Sequence, residues 1–354
     1  MFKAAAEFTS YDGTGMGIME MSHRDTNGPV QTCIANATDM LRELLNVPEN
    51  YHILFMQGGA HGQFAAVPLN LCGSKKKACF VSTGYWSERA AKEAEKYCKV
   101  TYAYKGSDEN YSRIPPVSEW VIDKDAAYVH MCANETIHGL EYHEDPVLPQ
   151  GSPPLVADFT STLLSRPVDV SKYGVIYASA GKNLGPAGVT TVIVRDDLVG
   201  ILESPLCPSV LSYKKMAESQ PIPSIYNTPP TFLIYMMSLV LRDNIMQGGL
   251  SVLQKKASAR AFMIYDVIDQ SQGFYNVKCE DFEHRSIMNI PFRIRNGDSE
   301  LEHEFSESAK HKGLLQLRCH PKFPGLRVTI YNGIPQRGVE LLASHMKDFM
   351  LQHA

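Results

Sequence analysis

The 354-residue chain has no Cys-x-x-Cys pair, no long apolar run, no strong excess of one charge and only two tryptophans. Each shortage excludes something. Cys33, Cys72, Cys79, Cys98, Cys132, Cys207, Cys279 and Cys319 are scattered along the chain. They read as reduced, mostly buried thiols rather than a disulfide framework. A zinc site needs clustered ligands, and Cys319-His320 is the only adjacent pair, so no metal is expected. The longest apolar run, Phe232 to Leu241, is too short for a bilayer and reads as a buried helix. Residues 1–22 lack a basic start followed by an apolar core, so no secretory signal and no membrane partner are expected, and the cytoplasm is the expected compartment. With 34 basic and 38 acidic residues the net charge is −4. That balance gives nucleic acid no basic face to bind. No internal repeat is visible.

What is present is a globular composition, 44% hydrophobic and 20% charged, in a chain long enough for two domains. The stretch YGVIYASAGKNLGPAGVT (173–190) organises the rest. It reads as a buried strand at Val175–Tyr177 that opens through small residues onto Lys182. Gly185, Pro186 and Gly188 follow, then a second strand. A lysine withdrawn from water favours its neutral amine, which can form a Schiff base with a carbonyl or with pyridoxal phosphate. A surface lysine in a glycine-rich turn is the plainer alternative from this stretch alone.

Taken in order, residues 1–27 read as a polar loop carrying His23 and Arg24, a basic pair suited to solvent or to an anionic group. A helix follows, with Val30, Ile34, Ala37, Leu41 and Leu44 on one face. Strands are expected at 51–56, 78–82, 127–131, 155–157 and 191–195, with helices between them. QGGAHG (57–62) resembles neither a Walker loop nor a dinucleotide fingerprint, but strand, glycine turn and helix can present free N–H groups to a phosphate. Trp86 is expected in a turn before a helix over 87–97, and 104–121 in a connection. Residues 205–230 are proline-rich. Helices follow over 231–246 and from Gly249. The tail is α+β, with strands at 288–294, 314–317 and 326–331, a helix over 300–312 and a closing helix. The domain boundary is expected near Gly248, giving a large domain at 1–247 and a small one at 248–354.

Repeated strand–helix alternation implies an α/β fold with a mostly parallel sheet, whose ligands bind beyond the carboxyl ends of the strands. Gly58-Gly59, Trp86, Thr136, Asp158 and Lys182 all fall just past expected strand ends. Pyridoxal phosphate needs such a set. Asp158 suits the pyridine nitrogen, Trp86 the ring face, Thr136 the ring oxygen, and the Ala60 and His61 amides the phosphate.

Several stretches also carry a family resemblance: MEMSHR (19–24), LLNVPENY (44–51), QFAAVPLNL (63–71), ANETIHG (133–139), LSRPVDVSKYGVIYA (164–178), KNLGPAG (182–188), YNTPPTF (226–232), MNIPFRI (288–294) and LRVTIYN (326–332). Together they resemble the phosphoserine aminotransferases, class V enzymes of the fold type I pyridoxal-phosphate group. The resemblance implies a seven-stranded large-domain sheet and a reaction between L-glutamate and 3-phosphohydroxypyruvate, giving O-phospho-L-serine and 2-oxoglutarate for serine synthesis. It implies that Lys182 holds pyridoxal 5′-phosphate as a Schiff base and carries the proton. Asn227 and Thr228 would reach the cofactor phosphate of a second copy, so a homodimer is implied. His23, Arg24 and His320 would hold the distal anion of the substrate, and Arg327 its α-carboxylate.

The chain departs from the family pattern at the anion contacts. Gly181 stands where a glutamine holds the cofactor phosphate, Pro321 where an arginine meets the substrate, and Ala60 where a glycine is usual. The opening Gly-Pro-Ala segment is missing. Each lost charged hydrogen bond costs roughly 1.5–3 kcal/mol. Two readings follow: a working aminotransferase with weakened anion contacts, or an impaired paralogue acting as a non-enzymatic or heterodimer partner.

Overall fold

The computed structural model describes residues 2–106, 111–279, 281–321 and 323–353. In chain order the first strands are β1 (Tyr51–Met56), β2 (Lys77–Ser82), β3 (Lys99–Lys105), β4 (Val129–Cys132), β5 (Asn134–Glu135), β6 (Leu140–Glu141), β7 (Leu155–Asp158), β8 (Val175–Ser179) and β9 (Thr190–Arg195). Seven of them form one sheet in the order β1-β9-β8-β7-β4-β2-β3. Pairing is parallel throughout except for β9, which runs antiparallel to both β1 and β8. β5 and β6 form a small separate hairpin.

Alternation along each strand decides which face it feeds. Ile53 and Phe55 of β1 pack into one core, and Leu54 and Met56 into another. Ile176 and Ala178 of β8 face the first core, while Val175 and Tyr177 face the second. The helices are α1 (Phe2–Glu7), α2 (Pro29–Leu45), α3 (Gly59–Leu71), α4 (Tyr85–Ala94), α5 (Tyr213–Ala217), α6 (Thr231–Met246), α7 (Leu250–Asp269), α8 (Ser299–His311) and α9 (Gln336–Gln352). α2 and α6 cover the first face, with Ile34, Leu41, Ile234 and Leu241 buried there. α3 and α4 cover the other, through Phe64, Val67, Ala90 and Ala94. Pro29 opens α2 at a position where no N–H is needed, and Asn46 closes it in the left-handed conformation at φ 47°.

A third core gathers Ile264, Ile268, Phe292, Phe305, Met346 and Phe349. It lies under a three-stranded antiparallel sheet of β10 (Tyr275–Asn276), β11 (Asn289–Ile294) and β12 (Leu326–Thr329). α7 begins in the first core with Leu250 and Leu253 and ends in the third from Ala261 onward. One continuous helix therefore joins the two bodies.

Four expectations need correction. Residues 314–317 form no strand: Gln316 sits at φ 60°, which breaks an extended run, and only Arg318 bridges to Leu326. Trp86 lies inside the first turn of α4, which starts two residues earlier than read and ends at Ala94. β3 went unread because it is an edge strand with a lysine at each end and only Ala103 fully buried. Residues 1–27 include the short helix α1.

His130 of β4 is buried beside Tyr177, its Nε2 2.8 Å from the Tyr177 hydroxyl. Burial pushes its pKa down to about 3. The folded protein keeps this ring neutral, whereas the unfolded chain takes up a proton below the usual histidine value. Its contribution is therefore intact above about pH 6.5 and is lost as pH falls toward 3. Replacing it with glutamine should make acid unfolding shallower. Between pH 6 and 4.5 the wild type should lose about 2 kcal/mol more than His130→Gln, read from urea midpoints.

Candidate active site

The carboxyl ends of β1, β2, β4, β7 and β8 point the same way, and each delivers a residue to one place. After β1, Gly58 (φ 100°) and Gly59 (φ 63°) turn the chain into α3. The first helical bond runs from the Gly62 N–H to the Gly58 carbonyl. The N–H groups of Gly59, Ala60 and His61 are therefore left over, at the positive end of the helix. After β2, Gly84 leads into α4 and Trp86. β4 runs on to Asn134 and Thr136, β7 ends on Asp158, and β8 ends three residues before Lys182.

A cavity of about 220 Å³ collects Ala60, His61, Trp86, Thr136, Asp158 and Lys182. Cys132, Asn134, Thr160, Ser161 and Ser179 complete its wall. A larger cavity, about 850 Å³, lies between Arg113 and His284, but among the described residues its wall holds no lysine, cysteine or serine.

The side chains in the small cavity are held. The Trp86 indole N–H donates to Thr136 Oγ1 at 2.9 Å, and its ring meets His61 edge-on at 6.0 Å. Asp158 Oδ1 accepts the Thr160 N–H at 2.8 Å. Burial raises the Asp158 pKa, opposed by the Thr160 hydrogen bonds and then by the charges of Lys182 and His61. A cationic N–H placed against this carboxylate would offset the cost of burial. Lys182 Nζ lies 5.9 Å from the centre of the Tyr331 ring. Cys132 is no competing nucleophile: burial first, then the charges of Glu135 and Asp158, pushes its thiol well above the usual range.

The remaining expected residues lie apart from the cavity wall. His320 packs on its rim, with ring centres 5.5 Å from Tyr85 and 6.4 Å from Trp86. Arg327 reaches toward it from β12, donating from one terminal nitrogen to the Thr136 carbonyl at 3.5 Å. Its buried Nε has no partner among the described residues. Asn227 lines an adjoining cavity of about 300 Å³ with Gln57 and Gly58, and Gln57 donates to the Thr228 carbonyl at 3.3 Å. His23 and Arg24 sit in a surface turn tied down by Gln31 and Ser22, and neither lines the cavity. Gly181 is exposed, and a Cβ there would lie 3.2 Å from that of Ala187.

Sequence reasoning missed Ser179, Asn134, Glu135 and Tyr331. Ser179 ends a strand already recognised, and Asn134 and Glu135 lie in ANETIHG. Those positions were the available signal. Nothing in the sequence alone says that Glu135 lies under Trp86.

Comparison with known proteins places these features in a family. The Aminotransferase class-V family model matches residues 3–308. The chain belongs to the class-V aminotransferases. It is 46% identical over 354 residues to phosphoserine aminotransferase 1, chloroplastic, of Arabidopsis thaliana, covering 100% of this chain and 80% of that one. It is 45% identical to the phosphoserine aminotransferase of Laribacter hongkongensis, covering 99% and 94%. The fold matches the phosphoserine aminotransferase of Bacillus circulans subsp. alkalophilus with a TM-score of 0.93 at 41% identity, covering 100% and 95%. It matches the PLP-bound enzyme of Trichomonas vaginalis with a TM-score of 0.91 at 35% identity, covering 98% and 95%. Pyridoxal phosphate is the cofactor of this class-V aminotransferase, and the cavity suits it: leftover amides for a phosphate, an aromatic face, a buried carboxylate and one amine.

The turn into α3 rests on Gly58. A methyl group there must adopt φ 100° and sit 3.2 Å from Gly62 Cα. Gly58→Ala should cost about 1–2 kcal/mol of stability. Gly333→Ala is the control. Nothing lies within 4 Å of its Cβ position, so it should stay within about 0.5 kcal/mol. Urea unfolding of the two variants side by side checks both values.

Proposed function

We propose that this chain is a pyridoxal-phosphate aminotransferase that moves the amino group of L-glutamate to 3-phosphohydroxypyruvate, giving O-phospho-L-serine and 2-oxoglutarate. The observation that carries it is the convergence of Lys182, Asp158, Trp86 and the α3 amides on one cavity at the sheet edge. The relatives, 44–46% identical over nearly the whole chain, are named for that transamination.

When bound, the pyridine ring supplies an electron sink for the substrate's α-carbon. The chain's residues do the rest. Lys182 holds the cofactor covalently and then carries the proton taken from the α-carbon on Nζ. Asp158, buried and anionic, keeps the pyridine nitrogen protonated. Trp86 presents a flat face fixed by its indole hydrogen bond. Thr136 Oγ1 already accepts that bond, so its own proton is free to donate to the ring oxygen. The Gly59, Ala60 and His61 amides take the phosphate. Arg327 takes the α-carboxylate with its planar fork. Both amino donor and acceptor carry a distal anion, and His23, Arg24 and His320 are the cationic or hydrogen-bonding groups available for it.

Asn227 and Thr228 reach the phosphate of a second copy in this reading, and the working unit is a homodimer. His23 and Arg24, remote from their own chain's cavity, fit the same arrangement. In this reading the chain divides near Gly248 into a large domain at 1–247 and a small one at 248–354, with the first turns of α7 still packed on the first core through Leu250 and Leu253. The scattered cysteines form no disulfide among the described residues, which favours a reducing compartment, the cytoplasm in this reading.

Purified protein incubated with pyridoxal phosphate should develop a visible absorbance band that shifts on adding L-glutamate. Lys182→Ala should abolish the band. A band that ignores glutamate, or one that survives in Lys182→Ala, would overturn the assignment. Sedimentation should report a dimer; a monomer at working concentration sinks the shared-site reading.

A further inference from the structure

Glu135, like Glu141 on the paired strand, is a carboxylate with no exposed surface, and the proposed reaction gives it no task. It lies on β5 and reaches under the start of α4. Its Oε2 accepts the Trp86 N–H at 2.9 Å and its Oε1 the Ser87 N–H at 2.8 Å. The Ser87 hydroxyl in turn accepts the Thr83 and Gly84 N–H groups at 3.0 and 3.1 Å. The next residue, Thr136, accepts the Trp86 indole N–H at 2.9 Å. Two consecutive residues therefore hold both the backbone and the ring of Trp86.

The surroundings reserve this place. A Cβ on Gly84 would lie 2.5 Å from the Glu135 carboxyl carbon and 2.6 Å from Oε2. Only glycine at 84 leaves room for the carboxylate. The other strand of the hairpin anchors it. Glu141 Oε1 accepts the Thr162 hydroxyl at 2.5 Å, and its Oε2 accepts the Ser286 hydroxyl at 3.0 Å and the Ile287 N–H at 2.8 Å. The platform beneath Trp86 is thus pinned to the small-domain segment before β11.

We infer that Glu135 is a positioning residue for Trp86: its carboxylate caps the first turn of α4 from another element and sets the indole plane against which the cofactor ring stacks. The inference rests on the stacking role given to Trp86 above. The geometry argues for a two-oxygen acceptor rather than for bulk: burial raises the Glu135 pKa to about 7, and the Ser87 and Trp86 hydrogen bonds oppose that shift and favour the anion. Two N–H donors at a helix start need an acceptor with two oxygens, and a helix N-terminus favours a negative one. Glutamine keeps one acceptor and turns an amide donor toward the other N–H. Alanine leaves both donors without a partner in a buried place.

The test uses a Trp120→Phe background, in which Trp86 is the sole tryptophan; Trp120 is buried elsewhere, bonded to the Pro115 carbonyl. Acrylamide quenching and emission wavelength of Trp86 are measured first in the cofactor-free protein. Pyridoxal 5′-phosphate is then added, following Trp86 quenching and the visible band separately. In Glu135→Ala, the free protein should show red-shifted, more readily quenched Trp86 emission. Pyridoxal phosphate should bind about tenfold more weakly, with the Lys182-dependent band still reached at saturation. Glu135→Gln should fall between. Unchanged emission, quenching and affinity in Glu135→Ala would overturn the proposal. If that variant does not fold, Glu135→Gln decides: intermediate values support the role, wild-type values reject it. If the parent shows the band but no Trp86 quenching by the cofactor, the stacking reading fails instead, and the cofactor-free emission still judges Glu135.

Discussion

Asp158 sits at the end of a strand buried on both faces, where a carboxylate without a cation is costly. Among the described residues no cationic side chain bonds to it directly: the Thr160 amide stabilises it, and Lys182 and His61 act at longer range. A parallel sheet makes this position available. Its strand ends lie together, small residues leave them open, and helices cover the flanks. The carboxylate makes sense only with a positively charged group facing it. The ring nitrogen of the cofactor is such a group, and the other wall residues suit the rest of that molecule. In the proposed function Lys182 would supply the amine, α3 the phosphate donors, and Trp86 the flat wall.

The small domain matters to this cavity through a few polar links. Asn134 donates to Asn289 at 3.0 Å, and Asn289 meets the Tyr331 hydroxyl, whose ring faces Lys182. Asn183, next to Lys182, accepts the Asn332 N–H at 2.9 Å. Arg327 reaches the Thr136 carbonyl. Each link ties a residue adjoining the cavity wall to β11, β12 or the turn after it. Since α7 runs unbroken from one core into the other, the two bodies are joined covalently by a stiff element and non-covalently at the site.

Much of this was legible in the sequence because it follows from period and punctuation. Short apolar runs marked β1, β7, β8 and β9, as strands buried on both faces do, the glycine pair marked the start of α3, and the ends of those strands placed Asp158 and Lys182. What was not legible depends on distant pairs. Glu135 reads as an ordinary polar residue until Gly84, far away in sequence, is seen to make room for it. β3 hides because an edge strand buries too little to show alternation. The run at 314–317 looks extended until Gln316 adopts a positive φ. His23 and Arg24 stand out in the sequence as a basic pair, but they lie in a surface turn and line no part of their own chain's cavity.

The departures from the family pattern fall unevenly, and the structure explains which matter. Ala60 replaces a glycine, but the contact it owes the phosphate is a backbone N–H, which a methyl group does not remove. Ala60 also has no positive φ to strain it. Gly181 is different, because what is lost there is a side chain. The nearby turn at Ala187 stands close enough that a larger residue would have to move it. Pro321 likewise gives up a guanidinium. In the proposed function these losses would weaken side-chain grip on anions and leave the amide cradle whole. Backbone donors at the α3 N-terminus would then carry more of the phosphate than side chains do, and their aim would depend on Gly58 and Gly59.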